Sequence, residues 1–307
     1  MTLGVILPTS NRGKLLEIIL HNYSYLISKK IIDEIIIIDD GSTDNTKKIL
    51  ESFHRKFPTN SKIIRNLSRK GAPNARNKGL ELLKSEFVLF GEDDVIIPKS
   101  YVFQLKERMK NFDCAILGGR ITYISGSLIG YKLNKNHKEI FNSNLLMGNF
   151  SSTKYKGPVK VPFLHGIVIY PSKKLKNIGF DTSYKGNGFR EETDPQIHLS
   201  MKGCQVIFFP DITCYHLPFG LPGGQHQIGA IETLYWTIKN NFYFMKKFSN
   251  YFEIKIGIKH LRVRIILFAF WKIIETFSAQ FLSFRKKNSS SSESKNFLKF
   301  SINYMKK

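Results

Sequence analysis

The sequence predicts an α/β fold in which a Rossmann-like, doubly wound mixed sheet precedes a C-terminal helical appendage. Short apolar runs, several of them β-branched, alternate with segments whose apolar residues recur at helical spacing, up to residue 90. Two of these runs end directly in acidic clusters, and ligands of open α/β sheets bind outside the carboxyl ends of the strands. The chain, with 307 residues and 42% hydrophobic content, is long enough for one large domain and an appendage.

The elements follow from the apolar pattern in chain order. A run at 3–7 is expected to be a strand that stops at Pro8, and apolar residues between 14 and 27 have the spacing of a helix. The further elements expected are a strand at 31–38, a helix at 47–57, a strand at 62–65, a helix at 72–84 and a strand at 86–90. Continuous apolar runs such as IIDEIIII suit parallel strands that are covered on both faces. Residues 112–215 are expected to form short mixed strands and turns.

The net charge of +23 favours an anionic partner, which is nucleic acid, an anionic lipid surface or a phosphorylated small molecule. Residues 232–307 contain fifteen basic and four acidic residues, a net charge of +11. About half of the basic excess therefore lies in the last quarter of the chain.

Cysteine usage and the N-terminus predict a cytoplasmic protein. Cys114, Cys204 and Cys214 have no C-x-x-C spacing, so neither a disulfide nor a zinc site is expected, and a reducing compartment fits. The N-terminal segment has no basic lead and no small-residue cleavage site, which argues against a signal peptide.

Two acidic clusters follow predicted strands. Asp39 and Asp40 begin the segment DDGSTD, where carboxylates can accept hydrogen bonds from a base or a ribose; the alternative is a turn that caps the next helix. Glu92, Asp93 and Asp94 follow the strand EFVLF. Adjacent acids at a buried strand end repel one another unless a divalent cation such as Mg²⁺ or Mn²⁺ neutralises them, and an exposed acidic turn is the alternative.

Two later segments carry further candidate groups. Glu191, Glu192 and Asp194 lie in GFREETD, where a helix is expected to begin near Glu191. The helix dipole would keep a carboxylate in the first turn ionised, as a general base requires; ordinary helix capping is the alternative, and the segment taken alone favours it. His216 follows the predicted strand QVIFFPDITCY and either completes an oxygen-rich metal site or is structural.

These segments occur in the order and near the spacing of the family 2 inverting glycosyltransferases with the GT-A fold, which the chain resembles over residues 3–216. VILPTSNR, DDGSTDNT and GAPNARNKG look like the family's V-I-I-P-T-Y-N-R opening, V-D-D-G-S-T-D-x-T turn and G-x-x-x-A-R-N-x-G helix. LHG, IGFD and REETD follow its second half. The resemblance implies a GT-A-type domain at 1–218, with a nucleotide-binding half at 1–111 and an acceptor-binding half at 112–218.

The resemblance also implies roles for single residues. The residues implied at the nucleotide site are Pro8, Thr9, Asp39, Asp40, Arg76, Glu92 and Asp93. Glu92 falls on the first acid of the family's Asp-x-Asp motif, near the ribose, and Asp94 falls on its metal-binding acid. His216 falls on a histidine that in some members approaches the metal or the diphosphate.

The implied catalytic base is Glu192. Glutamate stands here where the family commonly has aspartate, and His198 stands where arginine is common. Glu191 and Asp194 therefore remain competitors for the role.

The activity implied is transfer of a sugar, with inversion, from a UDP- or dTDP-sugar to an acceptor hydroxyl of a lipid-linked or cell-surface glycan. A nucleotidyltransferase or sugar-phosphate pyrophosphorylase would share the sheet and the acidic motif, but residues 8–13 lack the Gly-rich basic phosphate loop typical of that class. A nucleic-acid-binding protein would explain the charge. We expect no nucleic-acid partner, because the basic excess lies in the tail and the strand ends are acidic.

Aromatic and basic residues at helical spacing predict a helical extension at 219–287, and a serine run predicts a flexible tail at 288–307. Residues 263–284 are strongly apolar, but Arg264, Lys272, Glu275 and Gln280 interrupt them, so an in-plane amphipathic helix is expected rather than a spanning one. Residues 231–287 would then contact an anionic membrane at the inner face of the plasma membrane. Packing on the catalytic domain or in a homodimer is the alternative.

Overall fold

The computed structural model describes residues 1–125, 132–133, 138–217 and 228–286, and most of its strands join one ten-stranded mixed sheet. The strands are β1 Leu3–Thr9, β2 Glu34–Asp40, β3 Ser61–Asn66, β4 Phe87–Phe90, β5 Val95–Ile96, β6 Ala115–Ser125, β7 Lys132–Leu133, β8 Phe141–Asn142, β9 Met147–Gly148, β10 Val159–Lys160, β11 Val168–Pro171 and β12 Gln205–His216. The helices are α1 Gly13–Ser28, α2 Thr46–Lys56, α3 Ala72–Leu82, α4 Lys99–Met109, α5 Ser172–Lys176, α6 Asp194–Met201, α7 Ala230–Lys247 and α8 Leu261–Lys286. A π-helical turn, Tyr251–Lys255, lies between the last two helices.

The sheet has the order β10-β12-β6-β11-β4-β1-β2-β3, with β5 paired to β12 and β7 paired to β6. Strands β4, β1, β2 and β3 are parallel, whereas β11 runs antiparallel between β4 and β6. The chain winds outward from β1 to β3 and then returns to place β4 on the other side of β1. The switch point between β1 and β4 is where a ligand crevice is expected in such a sheet.

Strand β2 illustrates how the sequence forms the layers. Ile35 and Ile37 belong to the core cluster that includes the buried residues of α1, whereas Ile36 and Ile38 belong to the cluster that includes Ala75 of α3. Successive side chains of a strand point to opposite faces, so an unbroken isoleucine run requires cover on both faces. The predicted doubly wound α/β architecture is confirmed.

The element bounds differ from the prediction at a few ends. β1 continues through Pro8 to Thr9, and β2 begins at Glu34 rather than at residue 31. The pairing of β1 with β4 ends at Ile6, so Pro8, which has no N–H, lies where β1 pairs only with β2. The helix expected to begin near Glu191 begins at Asp194.

The expectation of no disulfide is wrong, because Cys114 is disulfide-bonded to Cys204, with Cα atoms 4.7 Å apart. The two cysteines directly precede β6 and β12, which pair in parallel with Ala115 opposite Gln205. Spacing along the sequence does not report this neighbourhood, because strand pairing creates it. Cys214 is free and buried.

The C-terminal helices pack on the sheet domain. Phe244 and Phe252, with Leu261, share a buried cluster with Phe163 and Ile197 from the preceding part of the chain. Among the described residues, no helix is long and apolar enough to cross a membrane. The flexible tail predicted at 288–307 lies outside the described residues.

Candidate active site

A cleft of ≈ 240 Å³ opens at the carboxyl ends of β1, β2 and β4, at the switch point of the sheet. Its lining residues are Pro8, Thr9, Ser10, Arg12, Asp40, Arg69, Ala72, Arg76, Gly91, Glu92, Asp93, Asp94, Glu191, Glu192 and His216. The fold thus brings together most of the residues that the sequence singled out. Asp39 and Asp194 are candidates that do not line this cleft.

Glu92, Asp94 and His216 bring one ligand atom each within 4.8 Å of one another. Pairing of β5 with β12 sets His216 opposite Val95, next to Asp94. The His216 Nδ1 donates a 2.7 Å hydrogen bond to the Leu217 carbonyl oxygen, and its Nε2 lies 3.7 Å from Asp94 Oδ1. A backbone carbonyl that fixes the tautomer in this way is typical support for a metal-ligating imidazole.

The electrostatics of this trio suit a divalent cation. Burial, and after it the charge of nearby Asp94, raise the pKa of Glu92 to about 8. Two carboxylates and one imidazole are donors that Mn²⁺ accepts readily, and Mg²⁺ prefers the oxygens. A cation held there would offset the repulsion that otherwise favours a protonated Glu92.

Arg12 is a site residue that sequence reasoning missed. Its Nε lies 3.1 Å from Asp93 Oδ1, and its Nη2 lies 3.0 Å from Asp94 Oδ2. Burial raises the pKa of Asp93 to about 6, although the Arg12 charge acts in the opposite direction. The available signal was the position of Arg12 between β1 and α1, at the same sheet edge as the acids.

Asp39 and Asp40 shape the wall of the cleft. Asp40 accepts hydrogen bonds from the Asn66 side chain and from the backbone N–H groups of Lys70 and Gly71, at 2.8 to 2.9 Å. Asp39 is fully buried and lies 3.3 Å from the Arg65 guanidinium. Asp40 thus lines the cleft while it fixes the loop before α3, and Asp39 lies outside the lining.

The three competing acids have different surroundings. Glu191 is buried and ion-paired with Arg76, whose guanidinium also lies over the rings of Phe90 and Phe180. Asp194 is buried and accepts hydrogen bonds, each of 2.8 Å, from the Tyr184 hydroxyl and from Lys247. Glu192 is half-buried, lines the cleft, and has no ion pair or side-chain hydrogen bond within the described residues.

The backbone at Glu192 is held by a buried glutamine. The Gln196 side chain donates to the carbonyl oxygens of Glu192, Leu164 and His165, and it accepts from the Leu164 N–H at 2.6 Å. Because α6 begins at Asp194, Glu191 and Glu192 lie in the preceding turn. The Gln196 side chain therefore holds the backbone of the turn that carries Glu192, and Glu192 lies outside the first turn of α6.

Arg190 anchors the same turn to α7, and sequence reasoning gave it no role. Its φ of 76° is in the left-handed region, which is strained for a non-glycine residue. The buried guanidinium lies between aromatic rings, 5.0 Å from Phe163 and 5.2 Å from Phe244, and donates to Asn241 Oδ1 at 2.9 Å. Burial lowers the pKa of Arg190 to about 10, so the side chain is still a cation at neutral pH.

Gly166 lies between two acids of the cleft. A Cβ atom added at Gly166 would lie 2.6 Å from Glu92 Oε1 and 3.7 Å from Glu192 Cγ. A side chain at this position would therefore displace the Glu92 carboxylate. Gly166 thus leaves room for the Glu92 carboxylate where it lies, between Glu92 and Glu192.

Comparison with known proteins identifies the family. The family model described as glycosyl transferase family 2 matches residues 4–178, more than half of the chain. The chain belongs to glycosyl transferase family 2.

One relative is the GalNAc(5)-diNAcBac-PP-undecaprenol beta-1,3-glucosyltransferase of Campylobacter jejuni, which is 28% identical over 190 residues. The match covers 60% of this chain and 56% of the relative. The chain therefore spans little more than half the length of this curated relative.

Two solved structures show the fold. The Staphylococcus aureus protein TarS (residues 1–349), in complex with UDP-GlcNAc, aligns with a TM-score of 0.57 and 17% identity over 95% of this chain and 93% of that chain. The mannosyltransferase PcManGT from Pyrobaculum calidifontis, in complex with GDP-Man and Mn²⁺, aligns with a TM-score of 0.57 and 15% identity over 98% and 79%. These likenesses confirm the predicted GT-A-type fold.

Proposed function

We propose that the chain is an inverting glycosyltransferase that moves a sugar from a nucleotide diphosphate to an acceptor hydroxyl, with Glu192 as the base. The observation that carries the proposal is the contrast among the three acids of the turn. Glu191 is neutralised by the buried Arg76 and Asp194 by Lys247, whereas Glu192 faces the cleft with no ion pair in the described structure. A carboxylate within hydrogen-bonding reach of the acceptor can take the proton that the hydroxyl loses as it attacks.

The donor would lie along the ends of β1, β2 and β4. Pro8, Thr9 and Asp40 line the part of the cleft where the resemblance implies the nucleotide, and Arg12, Arg69 and Arg76 supply positive charge near it. A UDP- or dTDP-sugar is the donor we propose, and the UDP-GlcNAc complex of TarS supports the uridine nucleotide.

Glu92, Asp94 and His216 would hold the divalent cation. Bound there, Mn²⁺ or Mg²⁺ supplies charge that stabilises the diphosphate leaving group. The Mn²⁺ in the PcManGT complex supports a cation in this fold. Arg12 holds Asp93 and Asp94 in place, and Asp93 serves as its anchor.

The reaction we propose is a single displacement. The acceptor oxygen bonds to the anomeric carbon, the bond from that carbon to the diphosphate oxygen breaks, and the hydroxyl proton passes to Glu192. Inversion follows from attack opposite the leaving group. The family resemblance supports this course, and so does Glu192, which lines the cleft and has no ion pair with any residue that the structure describes.

The acceptor we propose is a lipid-linked or cell-surface glycan at a membrane. The Campylobacter relative is named for an acceptor on a PP-undecaprenol carrier, which supports a lipid-linked one here. Exposed apolar residues on α8, among them Ile266, Phe270 and Ile274, support contact of the extension with a membrane surface.

A nucleotide-sugar screen with one variant tests the proposal. We expect wild type to release UDP or dTDP from one donor in the presence of Mn²⁺, and Glu192→Gln to be slower by about 10² to 10⁴ in kcat. Glu232→Gln, on exposed α7 surface, is the control and should retain the wild-type rate. Full transfer by Glu192→Gln would exclude the assigned base, and pyrophosphate release would indicate a nucleotidyltransferase.

A further inference from the structure

A wide apolar groove lies between α7 and α8, outside the catalytic cleft. Its volume is ≈ 1010 Å³. Buried Met245, Leu261 and Phe268 are among the residues that line it, together with the exposed Ile266 and Phe270. Apolar concavities of this size are typical binding sites for apolar ligands.

The groove adjoins the turn that carries Glu192. Phe189, in that turn, stacks on Phe268 of the groove, with ring centroids 5.8 Å apart and an interplanar angle of 29°. Asn187 donates a 2.6 Å hydrogen bond to Thr237 Oγ1 of α7. The walls of the groove are therefore joined, through Phe268 and α7, to the turn that carries Glu192.

The border of the groove is basic. Lys239, Lys246 and Arg262 line it, and Glu253 is its one acidic lining residue among the residues described. Lys246 and Arg262 are exposed and have no ion pair within the described part of the chain. An apolar concavity with a cationic border is complementary to a molecule that has a hydrocarbon chain and an anionic head.

We propose that this groove binds the hydrocarbon chain of a lipid phosphate or diphosphate, with the phosphate at the basic border. The proposal rests on the proposed function, because the lipid would be the carrier of the acceptor glycan. The groove then selects acceptors by their lipid part, whereas the catalytic cleft selects the donor.

Binding of farnesyl phosphate to the full-length chain tests the groove, by titration calorimetry below the micellar concentration. The groove variant is Ile266→Asp with Phe270→Asp, whose side chains are 55% and 62% exposed. The matched control is Ile274→Asp with Phe277→Asp, 64% and 57% exposed on the same helix but outside the groove lining. Exposed positions are used so that both variants keep the fold.

We expect the groove variant to raise the Kd of farnesyl phosphate at least tenfold and the control to leave it within about twofold, since each buried CH₂ changes affinity by about fourfold. Inorganic phosphate alone should bind far more weakly than farnesyl phosphate. Equal weakening in both variants would overturn the proposal in favour of a general membrane-facing surface. A dimer that only the groove variant dissociates, with no change in lipid binding, would assign the groove to a second copy of the chain.

Failure of the groove and failure of the proposed function are distinguishable. Nucleotide-sugar hydrolysis by wild type, measured without any lipid, tests the enzyme class alone. If wild type hydrolyses a nucleotide sugar, and wild type and the groove variant bind farnesyl phosphate with equal affinity, only the proposal that the groove binds lipid is overturned. Absence of hydrolysis with every donor would remove the proposed function, even if the lipid bound.

Discussion

At the scale of single residues, the acids in and around the cleft differ in whether a basic side chain forms an ion pair with them. Arg76 neutralises Glu191, Lys247 neutralises Asp194, and Arg12 pairs with Asp93 and Asp94. The sequence shows all of these acids as similar clusters, because charge pairing is decided by residues far along the chain. Sequence alone could therefore nominate the acids of the turn but could not rank them.

A prediction at this scale concerns Gly166. Gly166→Ala should weaken Mn²⁺ binding by about 10- to 100-fold, because the added Cβ would meet Glu92 Oε1 at 2.6 Å and displace a proposed metal ligand. Calorimetric titration with Mn²⁺ measures the change. Gly157→Ala is the control, since a Cβ there meets nothing within 4 Å. Equal Mn²⁺ affinity of wild type and Gly166→Ala would contradict the assignment of Glu92 to the metal site.

At the scale of elements, the first half of the fold was predictable, and the predicted bounds lie within three residues of those observed. Every strand and helix predicted between residues 3 and 90 is present in the structure. The strands were predictable because parallel strands that are covered on both faces need an unbroken apolar pattern. The structure after residue 90 was harder to predict from the sequence. The start of α6, the disulfide and the partners of Arg190 all depend on contacts between distant segments.

At this scale, the contact between Arg190 and α7 is expected to support both stability and activity. Asn241→Ala should lower the free energy of unfolding by about 1 to 3 kcal/mol, because a buried guanidinium N–H loses its acceptor. It should also lower kcat about tenfold, since the turn that carries Glu192 loses an anchor. Urea unfolding and initial rates measure the two effects.

The control is Asn250→Ala, at an exposed position. Loss of stability in Asn241→Ala with an unchanged kcat would show that α7 supports the fold without positioning the turn.

At the scale of the whole molecule, a charge cluster joins the extension to the sheet domain. Lys247 of α7 lies 2.6 Å from Asp181 Oδ2 and 2.8 Å from Asp194 Oδ2. Burial opposes ionisation of Asp181, but hydrogen bonds from Lys247, the Ser183 backbone and Tyr243 hold its pKa well below the ordinary range. The extension is thus held to the domain by charge as well as by apolar contact.

This cluster predicts how stability depends on pH. A carboxylate with a lowered folded-state pKa stabilises the fold above its unfolded pKa, and the contribution is lost as the pH falls toward the folded value. Asp181→Asn should therefore be less stable than wild type at neutral pH, and the difference should shrink below about pH 4. Urea unfolding of both proteins across this range measures it, and a difference independent of pH would contradict the assignment.

The basic extension makes a second prediction at this scale. The 307-residue chain should sediment with vesicles rich in anionic phospholipid at low salt and should be released at about 1 M salt, because screening weakens attraction to the surface. Vesicles of neutral phosphatidylcholine are the control. Protein that remains in the supernatant with anionic vesicles at low salt would rule out the proposed membrane contact.

The anchoring of Arg190 also bears on how such enzymes can be recombined. The turn that carries Glu192 belongs in sequence to the sheet domain, yet its guanidinium partner Asn241 and its ring neighbour Phe244 come from α7. A chimaera that exchanges only the C-terminal helices between relatives would replace Asn241 and Phe244, while Phe163 and the Leu146 carbonyl would stay with the sheet domain. Residues 186–194 and α7 are therefore best exchanged together, so that a chimaera keeps the native packing of the turn that carries Glu192.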